Sequence, residues 1–99
     1  MEEKNLEQES LIAVTQLFKA LSDPTRLKIL LQIAQGEIAV NDIALAIDAK
    51  QSTVSHQLRL LKQANLVKTR REGTTIFYTV DDIHVIEILN QTIAHVSHQ

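Results

Sequence analysis

The stretch NDIALAIDAKQSTVSHQLRLLKQANLVKTRREGTTIFYTV, residues 41–80, changes its hydrophobic period part-way along. Its first half keeps helical spacing. A short helix is expected over Asn41–Ile47, capped by Asn41, with Ile43, Ala46 and Ile47 facing inward. A tight turn follows near Asp48–Gln51, and then a longer helix over Ser52–Ala64. From Leu66 the residues alternate and are rich in β-branched types. This predicts a β-hairpin of Leu66–Arg71 and Thr75–Val80, turning at Glu72–Gly73, with Val67, Ile76 and Tyr78 on one face. A short helix, a tight turn and a longer helix make a helix-turn-helix. A basic hairpin directly after it makes a wing.

The longer helix divides into two faces. Val54, Leu58 and Leu61 follow i, i+4, i+7 and should anchor it to a core. Ser52, Ser55, Arg59 and Lys62 fall on another face, flanked by Gln51 and His56. Hydroxyls, an amide, an imidazole and two cations suit base edges and phosphates of double-stranded DNA. An ordinary surface helix would mix both charge signs to gain i,i+4 pairs, and this one has no carboxylate. In the hairpin, Lys68 shares a face with Arg70, and Arg70 and Arg71 are neighbours, so at least one points outward. Charge guarding an edge strand would explain these cations too, and the two roles are compatible.

Charge distribution supports the same surface. The chain of 99 residues has net charge −2, which does not by itself suggest a nucleic-acid partner. Yet Lys50 to Arg71 holds six basic residues and no acidic one, so that window is +6 and the remainder −8. Such asymmetry in one small domain, taken as residues 1–99, argues for an anion-facing surface.

Outward from this unit, helical spacing is expected over residues 6–21 and again after LSDPTR. There Asp23 is an N-cap, Pro24 fits the first turn, Leu27, Leu30, Leu31 and Ala34 form the buried stripe, and Gly36 ends the helix. A last helix over 83–97, capped by Asp81 or Asp82, is apolar nearly all the way round. A domain this size cannot bury such a helix alone, so it is expected at a homodimer interface with the first helix. The fold class expected is therefore mainly α with a β-hairpin wing, a winged helix-turn-helix homodimer.

The same last helix carries three of the chain's four histidines. His84 and His95 are 11 residues apart, which returns to within about 20° of the same face. Along the axis they are separated by roughly 16 Å, and ligands must lie about 2 Å from one ion. One chain cannot bring them together. Two antiparallel copies can, joining Asp82 and His84 of one to His95 and His98 of the other. Three imidazoles and one carboxylate suit tetrahedral Zn(II), with Co(II) as a substitute. Four protein ligands leave no open position, so such a site is regulatory or structural rather than catalytic. A histidine near a helix C-terminus can also simply favour the dipole, and Asp82 can simply cap. The in-phase set of four on a helix that needs a partner argues for the metal.

Other classes are weaker. There is no cysteine, so no disulfide or thiolate site. A Gly-rich loop and a nucleophile–base pair are missing, so neither an enzyme nor a small organic substrate is expected. MEEKNLEQES is too polar for a signal peptide, and no apolar run approaches a membrane span, so a cytoplasmic protein without membrane contact is expected.

Nearly the whole chain resembles the ArsR/SmtB family of small dimeric winged-helix metal-sensing repressors. ALSDPTRLKIL is similar to the family's second-helix signature, and STVSHQLRLLKQANLVKTRREGTTIFYTV to its recognition helix and wing. DDIHV…HVSH resembles the C-terminal zinc site of the CzrA-like branch that senses zinc and cobalt. The resemblance implies that Asp82, His84, His95 and His98 are the ligands and that metal releases the repressor from operator DNA. Relatives that sense arsenic, cadmium or lead use cysteines near the short helix, where this chain reads EIAVNDIA.

Overall fold

The computed structural model describes residues 7–97. Five helices and three short strands follow in the order α1 (Gln8–Leu21), α2 (Pro24–Ala34), β1 (Ile38–Ala39), α3 (Val40–Ile47), α4 (Gln51–Gln63), β2 (Val67–Glu72), β3 (Thr75–Val80) and α5 (Ile83–Ser97). The expected winged helix-turn-helix is present: α3, α4 and the β2–β3 hairpin form it in sequence order.

Helix α2 is the central element. Asp23 caps it by accepting the Arg26 backbone N–H at 3.0 Å, and Pro24 occupies its first turn. Its core face is Ile29, Leu30 and Ile33, all essentially inaccessible. The expected stripe is corrected here, because Leu27, Leu31 and Ala34 are only partly buried. Helix α2 meets α1, α3, α4 and β3, so it is apolar on several sides and the sequence alone does not rank them. Around it close Ile43 of α3, Val54, Leu58 and Leu61 of α4, Leu66 before the wing and Val67 at its start, and Val85 and Leu89 of α5.

Two backbone devices set the angle of α4. Helix α3 ends with Asp48 in the left-handed region, φ 54°, and the Ala49 N–H returns to the Ala44 carbonyl at 2.9 Å. Helix α4 ends the same way: Asn65 has φ 59° and the Leu66 N–H returns to Leu61 at 3.0 Å. These 6→1 bonds close both helices sharply, using the residue types that tolerate this conformation best after glycine.

The sheet contains a strand the sequence reading did not include. Ile38 and Ala39 pair antiparallel with Tyr78 and Phe77, giving the order β1-β3-β2. This also corrects the start of α3. Ala39 is extended at the end of β1 and stands at the N-cap without a side-chain bond, so Asn41 lies inside the first turn instead of capping. The inward residues shift accordingly: Ile43 and Ala44 are buried, while Ala46 is exposed. In the wing, Val67 to Glu72 pair with Val80 to Thr75. That register puts Val67, Ile76 and Tyr78 on one face as expected. The turn is one residue later than the sequence suggested, at Gly73–Thr74. Gly73 has φ 62° at the first central position, as a two-residue II′ hairpin requires.

Candidate functional site

Helix α4 separates its faces cleanly. Val54, Leu58 and Leu61 are fully buried. Gln51, Ser52, His56, Arg59 and Lys62 are exposed, and Ser55 is half-buried at the boundary. The helix thus presents one continuous face with hydrogen-bonding and cationic groups and no carboxylate. A helix held on its apolar side by three inaccessible residues offers that face rigidly, which major-groove insertion requires.

The wing cations divide into two situations. Lys68 and Arg70 share a face with Phe77, and Arg71 lies on the opposite face with Ile76. Lys68 and Arg71 are exposed. Arg70, though half exposed, is engaged by two carboxylates and a ring. Its Nη2 and Nε donate to the two Glu37 carboxylate oxygens at 2.6 and 3.0 Å, and its Nη1 donates to Glu72 at 2.8 Å. Its guanidinium also lies over the Phe77 ring, 4.8 Å from the centroid. The hydrogen bonds from Arg70 hold the Glu37 carboxyl below its ordinary pKa, and the two carboxylates raise that of Arg70. Glu37 precedes β1, so this fork ties the wing to the α2–β1 connection. Sequence reasoning missed Glu37, because its partner is 33 residues away.

At the start of α5, Asp82 Oδ1 accepts the His84 backbone N–H at 2.9 Å and lies 3.2 Å from His84 Nδ1. Bonding from the His84 side chain, then from its backbone N–H, lowers the Asp82 pKa. Both side chains are more than half exposed. His95 is exposed in the last turn of the same helix, and His98 lies outside the described residues. Among the described residues, no three ligand-type side chains converge within one protomer. The 3.2 Å separation of Asp82 and His84 is that of a hydrogen-bonded pair, and it is also the spacing of two donors on one metal ion. Two ligands each about 2.0 Å from a tetrahedral ion stand roughly 3.3 Å apart.

The last feature is apolar. Helix α1 exposes Leu11, Ile12, Val14 and Phe18, and α5 exposes Ile83, Ile93 and Val96. Phe18 of α1 lies beside His84, Ile88 and Thr92 of α5, and large exposed apolar surface on two neighbouring helices marks a protein interface.

The pattern of the bacterial regulatory protein arsR family matches residues 23–69, which spans α2, the helix-turn-helix and the start of the first wing strand. The chain is 40% identical over 93 residues to a cadmium resistance transcriptional regulatory protein CadC homolog of Staphylococcus aureus, covering 93% of this chain and 77% of that one. It is 41% identical to the regulator NmtR of Mycobacterium tuberculosis, covering 94% and 78%. The chain belongs to the ArsR family. A homodimeric winged helix-turn-helix DNA-binding domain from Mycobacterium bovis superimposes with a TM-score of 0.82 at 36% identity, covering all of this chain and 96% of that one. Winged helix-turn-helix regulators of this family bind operator DNA as homodimers, and the chain, as a member, is a transcriptional regulator and not an enzyme. No helix among its described residues is long and apolar enough to cross a membrane.

Proposed function

We propose that this ArsR-family chain is a Zn(II)-responsive repressor of the CzrA-like type, with Co(II) as a substitute ion. The observation that carries the reading is the Asp82–His84 donor pair, 3.2 Å apart at one tip of α5. His95, at the other tip, shares its helical face. Asp82 and His84 of one protomer and His95 and His98 of a second supply four donors at each of two symmetric sites. When bound, Zn(II) would supply a cross-link between the two final helices.

The rest belongs to the chain's own residues. Gln51, Ser52, Ser55, His56, Arg59 and Lys62 face the major groove. Lys68 and Arg71 reach phosphates beside it, and Arg70 braces the wing from which they project. Two copies must hold their recognition helices about one DNA turn apart. Fixing the α5 tips changes that spacing, and a coupling of roughly 1–3 kcal/mol changes operator affinity about 5–150-fold. The chain's lack of cysteine argues against a thiolate-selected ion.

The Asp82–His84 contact also favours a second reading, a repressor without metal sensing in which Asp82 simply caps α5. Binding to a duplex selected by the wild-type dimer from a random pool, at fixed salt with and without Zn(II), separates the two. His95→Ala and Asp82→Ala should keep apo affinity within about twofold and lose the zinc response. Variants that respond to zinc like the wild type would refute the ligand assignment. Equilibrium dialysis without zinc uptake would establish the second reading.

A further inference from the structure

Arg26 joins three helices. Its backbone N–H is taken by the Asp23 cap, which fixes it in the first turn of α2. Its side chain runs back to α1, where Nε donates to the Ala20 carbonyl at 2.8 Å and Nη2 to the Lys19 carbonyl at 3.1 Å. These are among the last carbonyls of α1; that of Lys19 also accepts the backbone N–H and hydroxyl of the Ser22 cap, at 3.2 and 2.7 Å, and a cation there also favours the helix dipole. The remaining arm of the fork, Nη1, donates to Gln57 Oε1 of α4 at 3.1 Å.

This bridge spans a gap. Beside it lies an open cleft of about 340 Å³, lined by Gln16, Lys19 and Ala20 on one side and by Leu60, Gln63 and Ala64 on the other. Helices α1 and α4 therefore do not close on one another there, and Arg26 reaches across. Gln57 lies two residues from Arg59, about 200° around the helix, so it points away from the face offered to DNA.

We propose that Arg26 and Gln57 are positioning residues that set the angle of the recognition helix against α1. Arg26 clamps the end of α1, the helix whose Leu11, Ile12, Val14 and Phe18 await the second protomer, and hands its orientation to the middle of α4. The planar guanidinium suits this task, because its donors keep a fixed fork geometry that a lysine lacks. The inference rests on α4 being the recognition helix, and the test separates the two claims.

The assay measures binding of the full-length dimer to a duplex it has selected from a random pool, over a salt series, with Arg59→Ala as control. Arg59→Ala should weaken binding; unchanged binding would overturn the reading of α4 itself. Gln57→Leu, close in size but with no acceptor, should weaken binding about tenfold and leave the salt slope unchanged, because no phosphate contact is lost. Gln57→Glu should bind within about threefold of wild type, since it restores the acceptor and Arg26 neutralises its charge. Thermal unfolding of each variant checks that the fold is kept. Wild-type binding by Gln57→Leu, a salt slope reduced by about one ion, or failure of Gln57→Glu to rescue would each overturn the positioning role.

Discussion

Arg70 shows how a residue's chemistry depends on what it already holds. A charge tally counts it equal to Lys68 and Arg71, and all three are candidates for phosphate. The fold gives Arg70 two carboxylates and an aromatic face, so although its side chain is half exposed its charge is already paired within the protein. Lys68→Gln and Arg71→Gln should each lower the slope of log affinity against log salt by about one, and Arg70→Gln by much less. Glu37→Gln should release one side of the fork and tighten DNA binding, read in the same titrations. The pair also has a defined pH window. Glu37 is lowered in the folded protein, so its contribution is complete above the ordinary value of 4.5 and fades as pH falls through the lowered one. Carbon NMR should find Glu37 titrating below 4.5, and Arg70→Gln should return it towards that value. The sequence made the basic window visible but not this assignment, because Glu37 pairs across 33 residues and no local pattern marks it.

At the scale of elements, strong local rules were legible and weak ones were not. The Asp23–Pro24 start of α2 and the 54/58/61 anchor of α4 follow from capping and period, and both are present. Asp23→Ala should cost about 1 kcal/mol of stability, measured by denaturant unfolding, because the Arg26 N–H loses its acceptor. Leu58→Ala should cost about 2–5 kcal/mol at a site with no residual exposure. Strand β1 escaped sequence reading for a physical reason. Two residues give no alternation to detect, and their pairing is decided by β3, nearly 40 positions later. That strand in turn fixes where α3 begins, which is why Asn41 is not a cap and Ala44 replaces Ala46 in the core. The stripe on α2 slipped because a central helix meets neighbours on several sides, and periodicity cannot rank faces that are all apolar.

The whole molecule is the scale at which the apolar surface acquires meaning. Phe18, Ile83 and Val96 are each more than half exposed in the single chain, on the two helices at its ends. The near-complete apolar girth of α5 was readable in the sequence, as was the phase of His84 and His95. The proposed meeting of two helix tips is a geometry between copies, which one chain cannot display. Ile93→Glu and Phe18→Glu would each bury an unpaired carboxylate at the α1–α5 surface and should shift sedimentation from dimer towards monomer. Operator affinity should then fall at least about tenfold, because a second half-site contact is no longer linked to the first. Leu45 provides the control. Among the described residues it is the most exposed large apolar side chain, at 80%, yet it sits on α3, which packs against α2, α4, β1 and β3. Leu45→Glu should therefore leave the dimer intact. A dimer that survives Ile93→Glu and Phe18→Glu but dissociates with Leu45→Glu would move the interface to the helix-turn-helix. The α5 tips would then have no route to each other, and an intersubunit site built from Asp82, His84 and His95 would lose its physical basis.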